Sequence, residues 1–437
     1  MPSRSRRSTA RRTARSGSSD AQVLRVPAAP PPGPGPRPVR MTMTSSPVQK
    51  DPSEELFSWL RSMLDTRPVY RDPEQGWQVF GYDDISRILA DTTTFSSDTA
   101  GAFNPPQADL DFFDMGNLVT TDPPRHRRLR SVISSMFTPR AVAGLTPRIE
   151  RITHSLLDTV DGEDRFELVD TLTYALPITV ICELIGLPME DEPLFKVWGE
   201  ALGTIDAATV PPDQLENEVA PAIREMNAYL TAHARHRRKQ PADDVISRLA
   251  NAEIDGRPLE DGEIVGITGL TMFAGHATTM ALIGNAVLLF DSHPEAAATI
   301  RADRDLLPAA IEEILRLKPP FPRLARITTV ETEIAGQHVP SGELVTPWIA
   351  AANRDATRFP DPDSFDIHRN TGGHLVFGQG SHFCLGAPLA RLEGRIALNI
   401  LLDRYAEIAV DHDGGLEFEN PWQLISPRRL PVRVKAA

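Results

Sequence analysis

The chain has 437 residues, 41% of them hydrophobic, enough for a sizeable core in one large domain or in roughly two to three ordinary ones. Its formal net charge of −13 argues against general nucleic-acid binding. Two cysteines, Cys182 and Cys384, are too few for a disulfide framework and point to a reducing compartment, so a cytoplasmic protein is expected.

Residues 1–50 differ in composition from the rest of the chain. Nine arginines and a single acid, Asp20, fall within 1–40, and a Pro/Gly run covers 27–38. Such a stretch cannot bury a core and is expected to be a disordered extension. It has no apolar h-region, so it does not read as a secretory signal. An Arg- and Ser-rich, acid-poor leader also fits a transit peptide. The preferred reading is a folded domain over 51–437, with Met41 or Met43 as a natural start.

An amphipathic helix is predicted over 52–65, with Leu56, Leu60, Met63 and Leu64 on one face. Short strands follow at 69–71 and 77–80, then a helix over 82–91. Residues 92–120 read as irregular, and long irregular segments in compact domains tend to be functional. Helices are predicted over 122–137, 140–159, 168–186, 190–203, 212–238 and 242–251. Cys182 lies in an apolar helical run and is expected in the core. A long helix is predicted over 260–291, shorter ones over 294–302 and 306–317. A small sheet is expected in 324–350, a Pro/Asp/Arg-rich meander in 351–383, a helix over 384–403 and short closing strands. No internal repeat is visible. The fold class is therefore mainly α with minor β.

Residues 264–290 contain no Asp, Glu, Lys or Arg, a run long enough to span a bilayer. They also hold His276, Asn285, four threonines and four glycines, and ordinary amphipathic helices come after them. A helix buried through the middle of a soluble domain is the expected reading, with no membrane partner.

The stretch from His374 to Arg391, H-L-V-F-G-Q-G-S-H-F-C-L-G-A-P-L-A-R, holds the other cysteine. Cys384 stands at a loop-to-helix junction among Gly378, Gly380 and Gly386. Unpaired N–H groups at a helix start favour thiolate over thiol. Glycines let a backbone pass close to a flat, bulky object. A thiolate in such a loop suits an axial haem ligand. A lone cysteine is also commonly a small buried hydrophobe, and a Gly-rich loop before a helix also suits an anion.

The full spacing, Phe377, Gly380, His382, Cys384 and Gly386, resembles the haem-binding loop of cytochromes P450. That resemblance implies the mostly helical P450 fold as a single large haem domain. It also implies haem b with Cys384 as the metal ligand, and Phe377, Gly378 and Gly386 around it. In T-D-P-P-R-H-R-R-L-R, His126 and Arg130 share one helical face and are similar to the family's H-x-x-x-R, which binds haem propionates. On spacing alone they also read as a solvated basic face. Arg125, Arg127 and Arg128 then suit a basic rim for an acidic redox partner. By the same resemblance Arg326 and His382 are further propionate donors, and Arg323 borders the substrate pocket.

Glu313 and Arg316 form E-x-x-R, ordinarily a surface ion pair, and in the family a structural lock. Its meander partner is expected at Arg358. In the long helix, Ala274, Gly275, Thr278 and Thr279 match the family's A-G-x-acid-T-T, but Ala277 replaces the acid. Gly in mid-helix costs about 1 kcal/mol relative to Ala, and Ala274 and Gly275 read as room for a flat cofactor and a local widening. Oxygen activation needs protons, and Ala277 cannot titrate. Ordered water, Thr278, His276 or a polar group of the substrate must serve, and His276 reads more readily as packed away from the cofactor.

The resemblance covers the chain from about Asp51 onward. It implies a monooxygenase acting on a small-molecule secondary metabolite, with electrons from a ferredoxin and ferredoxin reductase. The missing acid leaves hydroxylation, coupling and ring closure open. Phe103, Thr271 and Arg323 are the candidate pocket residues, within an apolar wall of Phe112, Met115 and Leu118. A peroxide-driven peroxygenase and a non-enzymatic haem sensor or carrier are the alternatives.

Overall fold

The computed structural model describes residues 51–99, 107–205 and 211–437. The expected N-terminal extension and Phe103 lie outside the described residues. Helices carry most of the chain and the sheets are short.

The helix Asp261–Ser292 runs through the core. It opens with a capping box: Glu263 accepts the Glu260 N–H at 2.9 Å, and Glu260 caps in return. Arg257 donates to Glu263 at 2.9 and 3.1 Å, fixing that first turn. This is a helix long and apolar enough to cross a membrane, but most of it is buried inside the protein.

Glycines on its N-terminal half let a second helix, Ala108–Asp114, lie almost against its backbone. A Cβ at Gly266 would stand 2.1 Å from the Phe113 carbonyl oxygen, and one at Gly116 2.1 Å from that of Glu263. Residues 92–120 are therefore not wholly irregular. Leu118, read as part of an apolar wall, is buried in the main core together with Phe113. Asn227 donates to the Asp109 carbonyl at 2.8 Å, so helix Ala220–Lys239 grips the same segment.

Several predicted helices are broken where the local chemistry demands it. The helix expected over 140–159 is two, Pro139–Ala143 and Thr146–Asp158. Thr138 caps the first through the Ala141 N–H at 3.3 Å, Gly144 follows its end, and Pro147 stands in the first turn of the second. The one expected over 168–186 begins as a wide π-turn, Val169–Thr173, before Ala175–Ile185. Cys182 is fully buried in that helix, as expected.

A five-stranded sheet has the order Val69–Asp72, Gly76–Val79, Leu344–Pro347, Arg326–Thr328, Phe95–Ser96. Only the pairing of Leu344–Pro347 with Gly76–Val79 is parallel. This register sets Arg326 beside the chain at Ser96 and Ser97, far from both in sequence. A three-stranded sheet of Tyr405–Val410, Pro431–Ala436 and Arg165–Glu167 closes the C-terminus.

Candidate haem-thiolate site

The cysteine loop is held by its own backbone. The Cys384 N–H donates to the Phe377 carbonyl at 2.7 Å, and that of Gly378 to Leu375 at 2.9 Å. Gly378 and Gly380 have φ of +67° and +62°, which side chains rarely adopt. The helix Ala387–Arg404 starts only after Gly386, so Cys384 precedes it and the Gly386 and Ala387 N–H groups point back at the sulfur. A Cβ at Gly386 would stand 4.0 Å from that sulfur.

Cys384 is solvent-accessible, yet protein surrounds it closely enough for burial to dominate its acidity. Burial pushes the thiol up. The Gly386 and Ala387 N–H groups, with Arg130 and Arg391, pull the other way. The helix-start effect read from the sequence is present but is outweighed. A coordinated metal ion reverses that balance, because a ligating thiol is deprotonated outright.

Four basic side chains converge beside the loop. His126, on helix Arg125–Ser134, packs against His382 with ring centroids 4.3 Å apart and the rings tilted by 34°. Both imidazoles are pushed down, His126 to about 4 and His382 to about 3, by burial first and then by neighbouring cations. Arg326 is 5% exposed, and burial lowers it to about 10. Arg130 donates to the Ser381 and Phe383 carbonyls at 2.9 and 2.6 Å, tying the loop to its helix. His126 Nδ1 and Arg326 Nε are buried without a hydrogen-bond partner. Buried cationic donors driven toward neutrality, with polar atoms unpaired, suit a ligand that brings carboxylates. Haem brings two, and with a cysteine sulfur close by the residues fit it.

Three residues missed in the sequence complete this cluster. Asp122 accepts the Ser97 N–H at 2.9 Å and bonds the Ser96 hydroxyl. Ser97 Oγ lies 3.1 Å from His382 Nε2. The sequence places Asp122 at the start of a predicted helix, but only the sheet register brings the two serines to it.

In the long helix, Ala274 is exposed within a half-buried stretch that includes Thr271, Ala277 and Thr278. Thr278 donates to the Ala274 carbonyl at 2.8 Å, and Thr271 to that of Ile267 at 2.7 Å. The helix is continuous here, without the expected widening. Gly275 turns elsewhere: a Cβ there would meet Ile181 at 2.8 Å, so it seats helix Ala175–Ile185. His276 also faces that way, its ring edge-on to Tyr174 at 4.4 Å. Its Nε2 is buried without a partner, and burial lowers it to about 4. Arg323 lies over the Trp348 ring at 5.3 Å.

Glu313 and Arg316 are wholly buried and bidentate, at 2.6 and 2.8 Å. The meander arginine that joins them is Arg369, whose Nε donates to Glu313 at 3.0 Å. Arg358, the expected partner, instead donates to the Gly372 carbonyl at 2.9 Å and lies over Tyr82. Of the rim arginines, Arg125 donates to the Met115 carbonyl and Arg128 pairs with Asp255 at 2.8 Å.

The family model for cytochrome P450 matches residues 31–435. Erythromycin C-12 hydroxylase of Saccharopolyspora erythraea is 42% identical over 383 residues, spanning 86% of this chain and 94% of that protein. Cyclomarin C epoxidase CymV of Salinispora arenicola is 42% identical over 361 residues, spanning 82% and 91%. The solved structure of a mutant of P450 EryK in complex with erythromycin B superposes with a TM-score of 0.82 at 40% identity, covering 89% of this chain and 98% of that one. With the cysteine loop, the buried donor cluster and the long helix in one fold, the chain belongs to the cytochrome P450 family of oxidoreductases, which bind haem through a cysteine thiolate.

Proposed function

We propose that this enzyme is a monooxygenase of a small-molecule secondary metabolite, supplied with electrons by a ferredoxin and a ferredoxin reductase in the cytoplasm. The observation that carries this reading is the convergence of His126, Arg130, Arg326 and His382 beside Cys384. The names of two relatives, a hydroxylase of erythromycin and an epoxidase of cyclomarin C, support a secondary metabolite as substrate.

When bound, the haem supplies reductive activation of dioxygen and transfer of one oxygen atom to the substrate. Cys384 is the metal ligand, with Phe377, Gly378 and Gly386 shaping the loop around it. His126, Arg326 and His382 hold the carboxylates, and Arg130 keeps the loop in place. Arg125, Arg127 and Arg128 belong to the docking rim of the electron donor, beside their internal partners. Thr271 and Arg323 border the substrate.

Proton supply is the point where this chain departs from its family. Thr278 offers a hydroxyl, and Ala274 leaves space beside it. Ala277 offers no acid, and His276 faces Tyr174 with its cationic form suppressed. The proton then comes from ordered water or from a polar group of the substrate, and the outcome includes coupling or ring closure as well as hydroxylation. Ala277 also favours a second reading, a peroxygenase that draws oxygen and protons together from H₂O₂. Turnover with ferredoxin, reductase and NAD(P)H, set against turnover with peroxide alone, separates the two. Undiminished activity without the ferredoxin selects the peroxygenase.

A further inference from the structure

A cavity of about 480 Å³ opens beside the cysteine loop, lined in part by Glu312, His374, Phe377, Phe383 and Arg391. One carboxylate organises it. Arg391 donates to both oxygens of Glu312 at 2.7 Å, and His374 Nε2 lies 3.0 Å from Glu312 Oε2. The Arg391 guanidinium also lies 4.3 Å over the Phe377 ring. Glu312 comes from helix Leu307–Leu317, Arg391 from helix Ala387–Arg404, and His374 from the start of the loop. Three segments that frame Cys384 therefore meet at Glu312.

Two arginines stand against the Cys384 loop: Arg391 over Phe377, whose carbonyl accepts the Cys384 N–H, and Arg130 on the residues just before the cysteine. Arg130 donates to neutral carbonyls. Arg391 has its charge answered by a bidentate carboxylate. Burial pushes the Glu312 carboxyl up, but Arg391 and His374 outweigh it and hold it at about 2. Glu312 is thus an anion at any working pH. A cation near a metal–thiolate centre favours its reduced form, which carries one more negative charge, and an anion favours the oxidised form.

We propose that Glu312 is a positioning and tuning residue: by offsetting Arg391 it sets the donor strength of the Cys384 sulfur and the reduction potential of the haem. This rests on the reading of Cys384 as the haem ligand. The pair is accessible from the cavity, with 38% of the Arg391 side chain exposed, so its effect is screened by salt.

The test is the midpoint potential of the haem-loaded full chain, by optical redox titration, for the wild type, Glu312→Gln and Arg391→Gln. Both variants break the same ion pair but remove opposite charges. The expected result is a shift to more positive potential in Glu312→Gln and to more negative potential in Arg391→Gln, each shrinking at high salt. Shifts of the same sign, or none, would overturn the proposal, because they mark a clamp whose only role is structural. If Glu312→Gln fails to take up haem, Arg391→Lys stands in. It keeps the charge and loses the bidentate fork, so it should stay near the wild type while Arg391→Gln falls, and equal falls would overturn the idea. A wild-type ferrous–CO spectrum without thiolate character would instead sink the ligand assignment itself.

Discussion

Glu313 and Arg316 meet in a bidentate pair in which both side chains are fully buried. Sequence spacing alone suggests a surface pair worth little, but burial changes the arithmetic. Arg316 also donates to the Asn353 and Pro362 carbonyls at 2.8 and 2.7 Å, and Glu313 accepts from Arg369 and the Asp366 N–H. Removing Arg316 takes the bidentate partner from the buried Glu313, leaves Arg369 alone to answer its charge, and should cost about 3–5 kcal/mol, the range for breaking a buried pair. Arg316→Ala should lower unfolding stability by that amount in denaturant titration. A loss below about 1 kcal/mol, the range of an exposed pair, would contradict this.

Arg326 should matter for cofactor retention more than for folding. Its Nε is buried and unpaired. A hydrogen bond to a charged group is worth about 1.5–3 kcal/mol, so Arg326→Ala should speed haem loss to an acceptor apoprotein by about 10- to 100-fold. Unchanged loss would place the carboxylates elsewhere.

Glu393 gives the fold a pH dependence. It is 1% exposed, with Oε2 unpartnered, and burial raises its carboxyl from 4.5 to about 8. Between those values the folded state binds the proton that the unfolded state has released. Stability therefore falls as pH rises through this window, by up to about 1.4 kcal/mol per pH unit. Glu393→Gln should flatten this slope in unfolding titrations at several pH values. An unaltered slope would assign it to another group.

Ala277→Glu tests proton supply. With a substrate group or ordered water already serving, the added acid should leave turnover and coupling efficiency on the native substrate little changed. A sharp rise in both would rule out substrate assistance.

Much of this site was legible because its signals are local. The cysteine loop needs glycine at Gly378 and Gly380 for its backbone, and that requirement leaves a fixed spacing around Cys384. His126 and Arg130 share a helical face by periodicity. What was not legible depends on distant pairing. His382 reaches Ser97 because the sheet places Phe95–Ser96 beside Arg326–Thr328. Arg369 and Arg358 are equivalent in a meander read as sequence, and only the folded loop shows which one meets Glu313. Residues 92–120 read as irregular because nothing local says that Gly266 and Gly269 let Phe113 sink against the long helix.

The central claim is that Cys384 holds a haem serving oxidation of a secondary metabolite. Optical titration of the purified ferric protein with macrolactones, cyclic dipeptides, indole alkaloids, terpenes and fatty acids tests it most directly. A low- to high-spin shift with one class is the predicted result, from a ligand bearing a polar group able to stand in for the acid missing at Ala277. A protein with no haem band, even after haem is supplied, would contradict it.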